Sequence, residues 1–296
     1  MPEPIIKKGM LSHVLPFLNS LTKRGLAGWL IIFGAVIVAA IVVMTAISPW
    51  ISPYDPTTKG INAGPPLTPP SSRFPFGTND LGQDMLSRVI SGGGIMLQVS
   101  VLSVIICMVI GVPLGLFSSY TGGLVDRGFG LIMDSIYAFP GLVLAIAIAA
   151  MLGRGAVNMA LSIAVVYIPS YFRVIRSQVL SIKEMSYVDA AKATGAKNRT
   201  ILSRYILPNV IPSIVVVATV NFADAILTAA GLTFVGLGVP VSIADWGYDL
   251  TNGRNLLSSG AWWVITFPGI MVILLALGFT LMGEGLSELL NPRLAQ

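Results

Sequence analysis

From Val89 to Val125 the chain carries not one Asp, Glu, Lys or Arg. About 20 apolar residues already cross the hydrocarbon core of a bilayer, so a run of this length has no natural place in a water-soluble fold. Inside a membrane the backbone finds no water to bond, and only helices or closed barrels can span it. The apolar runs here are long and do not alternate, which selects helices. Charged residues make up only 10% of the chain, against roughly a quarter in soluble domains. The fold class that follows is an all-α polytopic membrane protein.

Six spans can be read in order. The first covers Ala27 to Ile47. A short interfacial piece around Ser91–Gly94 precedes a second over Ile95–Tyr120, with Pro113 inside it. The third runs over Leu131–Leu152, with Asp134 near one end and Pro140 near the middle. Ala156–Phe172, Val210–Ala230 and Ala261–Gly283 complete the set, the last anchored by Trp262 and Trp263. Eight prolines between Pro49 and Pro75 make the stretch after the first span extended and turn-rich. Ahead of the first span, Met1–Arg24 reads as a basic tail, bent at Pro16, that lies along the inner leaflet. A cleavable leader is the weaker reading, because the run behind it is too long and no A-x-A site closes it.

The charges fix an orientation. Thirteen of the eighteen Lys and Arg residues fall in the tails and in the loops after the second, fourth and sixth spans, and five in the opposite loops. The positive-inside rule then puts both termini in the cytoplasm. A pI near 9.4 therefore reflects flanking charge, not nucleic-acid binding. One cysteine, Cys107, and one histidine, His13, exclude a disulfide framework, a zinc site and a catalytic triad on this chain. No G-x-x-x-x-G-K-[ST] occurs, so the chain has no nucleotide site and no catalytic residues of its own. Intramembrane acids are costly and default to functional hypotheses. Asp134 and Asp224, with Asn221 one turn before the latter, are the candidates for a translocation path or gate; structural contacts with neighbouring helices are the alternative.

Between two apolar runs lies a short polar segment, Ser186 to Pro208. Ser186 reads as an N-cap, with Asp189 returning its carboxylate in a capping box, and Gly195 as the left-handed C′ residue. Tyr187, Ala190, Ala191 and Thr194 recur at helical spacing and give a small, nearly flat face on which another backbone can seat. Periodicity alone favours a plain loop helix lying at the membrane interface.

The residues carry a resemblance that separates the two. Asp189-Ala190-Ala191, three residues, Gly195, nine residues, then Tyr205-Ile206-Leu207-Pro208 resembles the EAA loop of ABC-importer permeases, EAA-x3-G-x9-I-x-LP, with Asp for Glu and Tyr for Ile. Phe76 to Arg88, FGTNDLGQDMLSR, resembles the FGTDxxGRDxxSR stretch of the dipeptide, oligopeptide and nickel permeases, with Asn79 for an acid and Gln83 for Arg. Gly231–Pro240 and Asp245-Trp246-Gly247 are similar to that family's LGFLGLGxxPP and EWG stretches. The chain is thus identified with the C-type permease subunits of that group.

The resemblance implies a type I importer permease fold: a tail over 1–26, a first membrane helix over 27–49, an extracytoplasmic loop over 50–91, a core over 92–290 with a coupling loop at 183–208, and a tail over 291–296. It implies that Tyr187, Asp189, Ala190, Ala191, Gly195, Leu207 and Pro208 meet an ATPase subunit. Its partners would be a second, B-type permease, two ATPases that hold ATP and Mg, an extracytoplasmic binding protein and membrane lipid. Di- and oligopeptides are the first substrate class, with oligosaccharides or nickel as alternatives. An ion-coupled secondary transporter is the reading from another class. It would place its coupling site at the membrane midplane, and no chain of acids and histidines is present for it.

Overall fold

The computed structural model describes residues 25–57, 61–239 and 243–290. The proposed tails at 1–24 and 291–296, Lys59 and Pro240 lie outside these. Ten helices carry the architecture. They are α1 (Gly25–Ala46), α2 (Met85–Ser91), α3 (Gly93–Thr121), α4 (Gly123–Tyr137), α5 (Gly141–Leu152), α6 (Ala156–Ile182), α7 (Ser186–Ala193), α8 (Leu207–Phe234), α9 (Trp246–Leu256) and α10 (Trp263–Leu290). Five helical stretches are long and apolar enough to cross a membrane, and α4 with α5 makes a sixth if the bent pair counts as one span.

That pair corrects the expected third span. In place of one helix over Leu131–Leu152 with a proline in its middle, α4 and α5 meet at 91°. Proline disfavours the helical region for the residue before it, which takes Phe139 out of the helix, and Pro140 becomes the N-cap of α5 with φ −57° and ψ 120°. Pro113, Pro169, Pro212 and Pro268 lie inside continuous helices. In a membrane bundle the packing of neighbouring helices lets such a proline stay within a span. The fourth span also outruns its expected end: α6 continues past Phe172 to Ile182. Arg173 and Arg176 end the apolar stretch but not the helix, because both find carboxylates on α4.

α3 and α6 form the central pair. A Cβ at Gly111 would stand 2.7 Å from that of Tyr171, and one at Gly115 would stand 2.9 Å from that of Ile175, so the two backbones approach as closely as small residues allow. Along α3, Ser100 and Ser103 return their hydroxyls to the carbonyls of Met96 and Val99, both at 2.7 Å, so these two hydroxyls are not left bare in an apolar setting. Two apolar clusters fill the bundle. One is built on Met96, Ala145, Met159, Ile163, Ile226 and Trp246. The other, at the far end, gathers Tyr171, Ile175, Val188, Ala191, Ile201, Ile206 and Val210. The second cluster seats the polar segment 186–208 on the bundle.

Candidate functional site

The helix α7 is held at both ends, though not as its sequence suggests. Its N-cap is Met185, in an extended conformation and without a side-chain bond, so Ser186 is the first helical residue and forms no capping box. Asp189 instead takes Lys192 Nζ at 3.0 Å, both side chains in solvent. The C-terminus closes as expected. Gly195 has φ +80°, its N–H donates to Lys192 O at 2.9 Å, and Ala196 N–H donates to Ala191 O at 3.0 Å. This is the Schellman pair of bonds, which needs a left-handed residue at C′. Nothing lies within 4 Å of the place a Cβ would take at Gly195. The constraint is on backbone conformation alone.

The proposed small face is divided. Val188 and Ala191 turn inward, 0% and 5% exposed, onto Ile201 and Ile206. Tyr187, Asp189, Ala190 and Thr194 remain in solvent. Ala191 therefore belongs to the bundle side, because Val188 sets an inward stripe with it at i, i+3. The chain then makes a π-helix over Ile201–Ile206, in which Leu207 N–H reaches Leu202 O. Pro208 has no N–H to give, and its ring would crowd the carbonyl four residues back; the wider turn removes that conflict. Leu207 is half-buried against the same cluster and Pro208 is exposed. Asn209 Nδ2 donates to Tyr205 O at 2.6 Å and reaches Tyr187 Oη at 3.4 Å. Tyr120 Oη meets Asn198 at 3.1 Å, so side chains of α3 and α8 brace the segment.

Beside it, a cavity of about 540 Å³ opens between α4 and α6. Asp126 receives Arg176 through two bonds, 2.8 and 2.6 Å. Asp134 receives Arg173 at 2.8 Å, and that guanidinium lies 4.0 Å from the Tyr137 ring centroid. Asp134 is thus half of an exposed ion pair. Asn221 and Asp224 do not share a lining. Asn221 is buried and faces the Tyr171 hydroxyl of α6. Asp224 borders a second cavity of about 400 Å³, beneath the α4–α5 break.

The sequence reading missed a polar core at the opposite end of the bundle. The 76–88 stretch is a knot, not an extended loop. Asn79 Oδ1 accepts from Leu81 N at 3.0 Å and Gln83 N at 2.9 Å, and Asn79 Nδ2 donates to Gln83 Oε1 at 2.8 Å. The two departures from the family pattern thus bond to each other. Asp84 caps α2, accepting from Ser87 N at 2.9 Å. It does not pair with Arg88 four residues on; that guanidinium reaches Asp249 Oδ1 at 2.8 Å and Pro56 O at 3.0 Å. Asp245 caps α9 by accepting from Tyr248 N at 2.9 Å. Burial pushes its carboxyl up to about 7, with the Asp249 charge adding to the rise. Trp246 Nε1 donates to Val89 O at 2.8 Å and Trp263 Nε1 to Thr78 O at 3.0 Å. The only signal for this in sequence was the density of Gly, Asn and Asp around single Arg and Trp residues.

Comparison with known proteins gives this geometry its setting. Residues 111–296 match the family model described as binding-protein-dependent transport system inner membrane component. Residues 29–70 match that of the N-terminal TM domain of oligopeptide transport permease C. The probable D,D-dipeptide transport system permease protein DdpC of Escherichia coli K12 is 39% identical over 264 residues, 89% of this chain and 88% of the relative. The dipeptide transport system permease protein DppC of Alkalihalophilus pseudofirmus is 38% identical over 90% of this chain and 86% of its own. The di/tripeptide transport system permease protein DppC of Pseudomonas aeruginosa is 37% identical, covering 88% and 87%. The α7 segment lies within the first match and the knotted cap mostly outside both. An integral membrane protein with the type I importer permease fold, the chain belongs to the family of binding-protein-dependent transport system inner membrane components, the permease subunits of ABC importers.

Proposed function

We propose that this permease carries di- and oligopeptides across the cytoplasmic membrane, with α7 as the lever through which separate ATPase subunits drive it. The peptide assignment draws on the relatives, which are named for D,D-dipeptides, dipeptides and di/tripeptides. The lever assignment draws chiefly on one observation. α7 is joined to the core through Val188 and Ala191, while Tyr187, Asp189 and Ala190 are exposed on its other side. A helix packed in this way transmits a push on its outer face directly to Ile201, Ile206 and α8.

In this reading the α7 end and both termini face the cytoplasm and the knotted cap faces outward. A B-type permease is the partner within the membrane, a binding protein delivers peptide to the cap, and ATP and Mg reside on two ATPases beneath α7. Closure of the ATPase pair moves the docked helices together and shifts the paired bundles toward an outward-open state; hydrolysis releases them. The broken span suits such a movement, since a bend already made at 91° can hinge without breaking an intact helix. Affinity purification of the tagged chain from its own membranes tests the assignment. Recovery of an ATPase and a second permease with stoichiometric signal is expected. Recovery of this chain alone, with ion-driven peptide uptake, would favour the secondary transporter.

A further inference from the structure

We propose that the cleft under the α4–α5 break is a subsite for a primary ammonium group, the amino terminus of a peptide in transit. This rests on the reading of the chain as a peptide permease. The cleft holds about 400 Å³, and its wall includes Asp224, Ser170, Tyr167, Tyr137 and Phe139. Asp224 is its one carboxylate, and among the described residues it has neither an ion-pair partner nor a hydrogen bond. Arg173, three residues beyond Ser170 on α6, is already held by Asp134 and lies over the Tyr137 ring.

An unpaired carboxylate within a span is costly, and one kept only for structure is ordinarily given a donor. Here the donor is missing and a cavity stands in its place. The remaining wall suits a small cation with several N–H groups. Ser170 and Tyr137 bring hydroxyls that have no hydrogen-bond partner among the described residues, whereas the Tyr167 hydroxyl is committed to Thr228 at 2.8 Å. An ammonium has three donors to distribute over one carboxylate and two hydroxyls. The rings of Tyr167 and Phe139 also line the cleft, and aromatic faces attract a cation. One carboxylate with two hydroxyls falls well short of the six or more oxygens a hard divalent ion requires. Every peptide has an amino terminus whatever its side chains, so such a subsite assists passage without selecting sequence.

The test uses the whole complex and a cysteine at Ser170, which is readable because the native Cys107 is buried. Labelling of this chain by a cationic and an anionic methanethiosulfonate is followed by mass spectrometry, with Asp224 intact and as Asp224→Asn. The cationic reagent should react about tenfold faster with Asp224 intact, and the ratio should fall toward one in Asp224→Asn. Alanyl-alanine at millimolar concentration should slow the reaction about threefold with Asp224 present, and N-acetyl-alanyl-alanine should not. An unchanged ratio in Asp224→Asn, or equal protection by the two peptides, overturns the proposal. Protection by Nα-acetyl-lysyl-alanine equal to that by alanyl-alanine would move the subsite to side-chain ammonium groups and overturn it as stated. Peptide uptake by the native complex, measured alongside, separates this from the broader reading. No uptake would refute the importer of peptides; intact uptake with unselective labelling would refute only the subsite.

Discussion

Arg88 and Asp249 meet at 2.8 Å across 161 residues of chain, with both side chains wholly buried. The bond ties the start of the second span to α9, the helix that precedes the last. Removing one partner from a buried pair leaves the other charge stranded, at a cost of about 3–5 kcal/mol, whereas replacing both with apolar groups is often neutral. Asp249→Leu and Arg88→Met should each lower the unfolding temperature of the purified protein sharply, and the double variant should regain most of the loss. Additive losses in the double variant would show that the pair is not coupled.

Asp245 makes the same region sensitive to pH. Its folded value of about 7 stands above the 3.8 of a free carboxylate, so the folded cap retains a proton that the opened cap releases. The stability this supplies is complete below about 3.8 and is lost as pH rises toward 7. Amide exchange over 245–251, corrected for intrinsic rate, should show more opening at pH 8 than at pH 5. Asp245→Asn should flatten the difference, and a native profile without pH dependence would contradict the burial argument.

Gly195 tests conformation apart from contact. A β-branched residue at φ +80° is strained by about 1–2 kcal/mol, and no neighbour stands near enough to clash. Gly195→Val should therefore uncouple ATP hydrolysis from loaded binding protein in reconstituted vesicles, while Gly195→Asn, which tolerates the left-handed region, keeps most of it. Equal coupling in the two variants, at matched amounts of complex, would remove the Schellman turn from the mechanism.

What the sequence disclosed was whatever depends on local composition. The spans follow from uncharged runs such as Val89–Val125, and the end of α7 from a glycine that the helix terminus demands. What it withheld depends on distant partners. Nothing near Arg88 names Asp249 as its counter-ion, and Asp84 at i−4 is the obvious wrong choice. The periodicity of α7 gives two apolar stripes, Tyr187–Ala190 and Val188–Ala191, and only the packing of Ile201 and Ile206 decides which one faces inward. Of Pro113, Pro140, Pro169, Pro212 and Pro268, only Pro140 breaks a span. Its sequence reads no differently from the others, because the flanking helices decide whether a freed carbonyl is reseated.

The division of α7 into two faces bears on the coupling claim itself. Ala191→Trp must disrupt the cluster around Ile201 and Ile206, and should lower the amount of folded protein, since overpacking a closed core costs about 1–3 kcal/mol. Such a variant reports on stability and says little about docking.

Ala190→Trp is the decisive measurement, because Ala190 is exposed on a helix that is otherwise held in place. The variant should fold, insert and pair with its partner permease at native levels. In reconstituted vesicles its peptide uptake and its binding-protein-stimulated ATP hydrolysis should both fall at least about tenfold, the equivalent of about 1.4 kcal/mol of lost docking. Native uptake and native stimulation in a fully assembled Ala190→Trp complex would show that the outer face of α7 meets no ATPase.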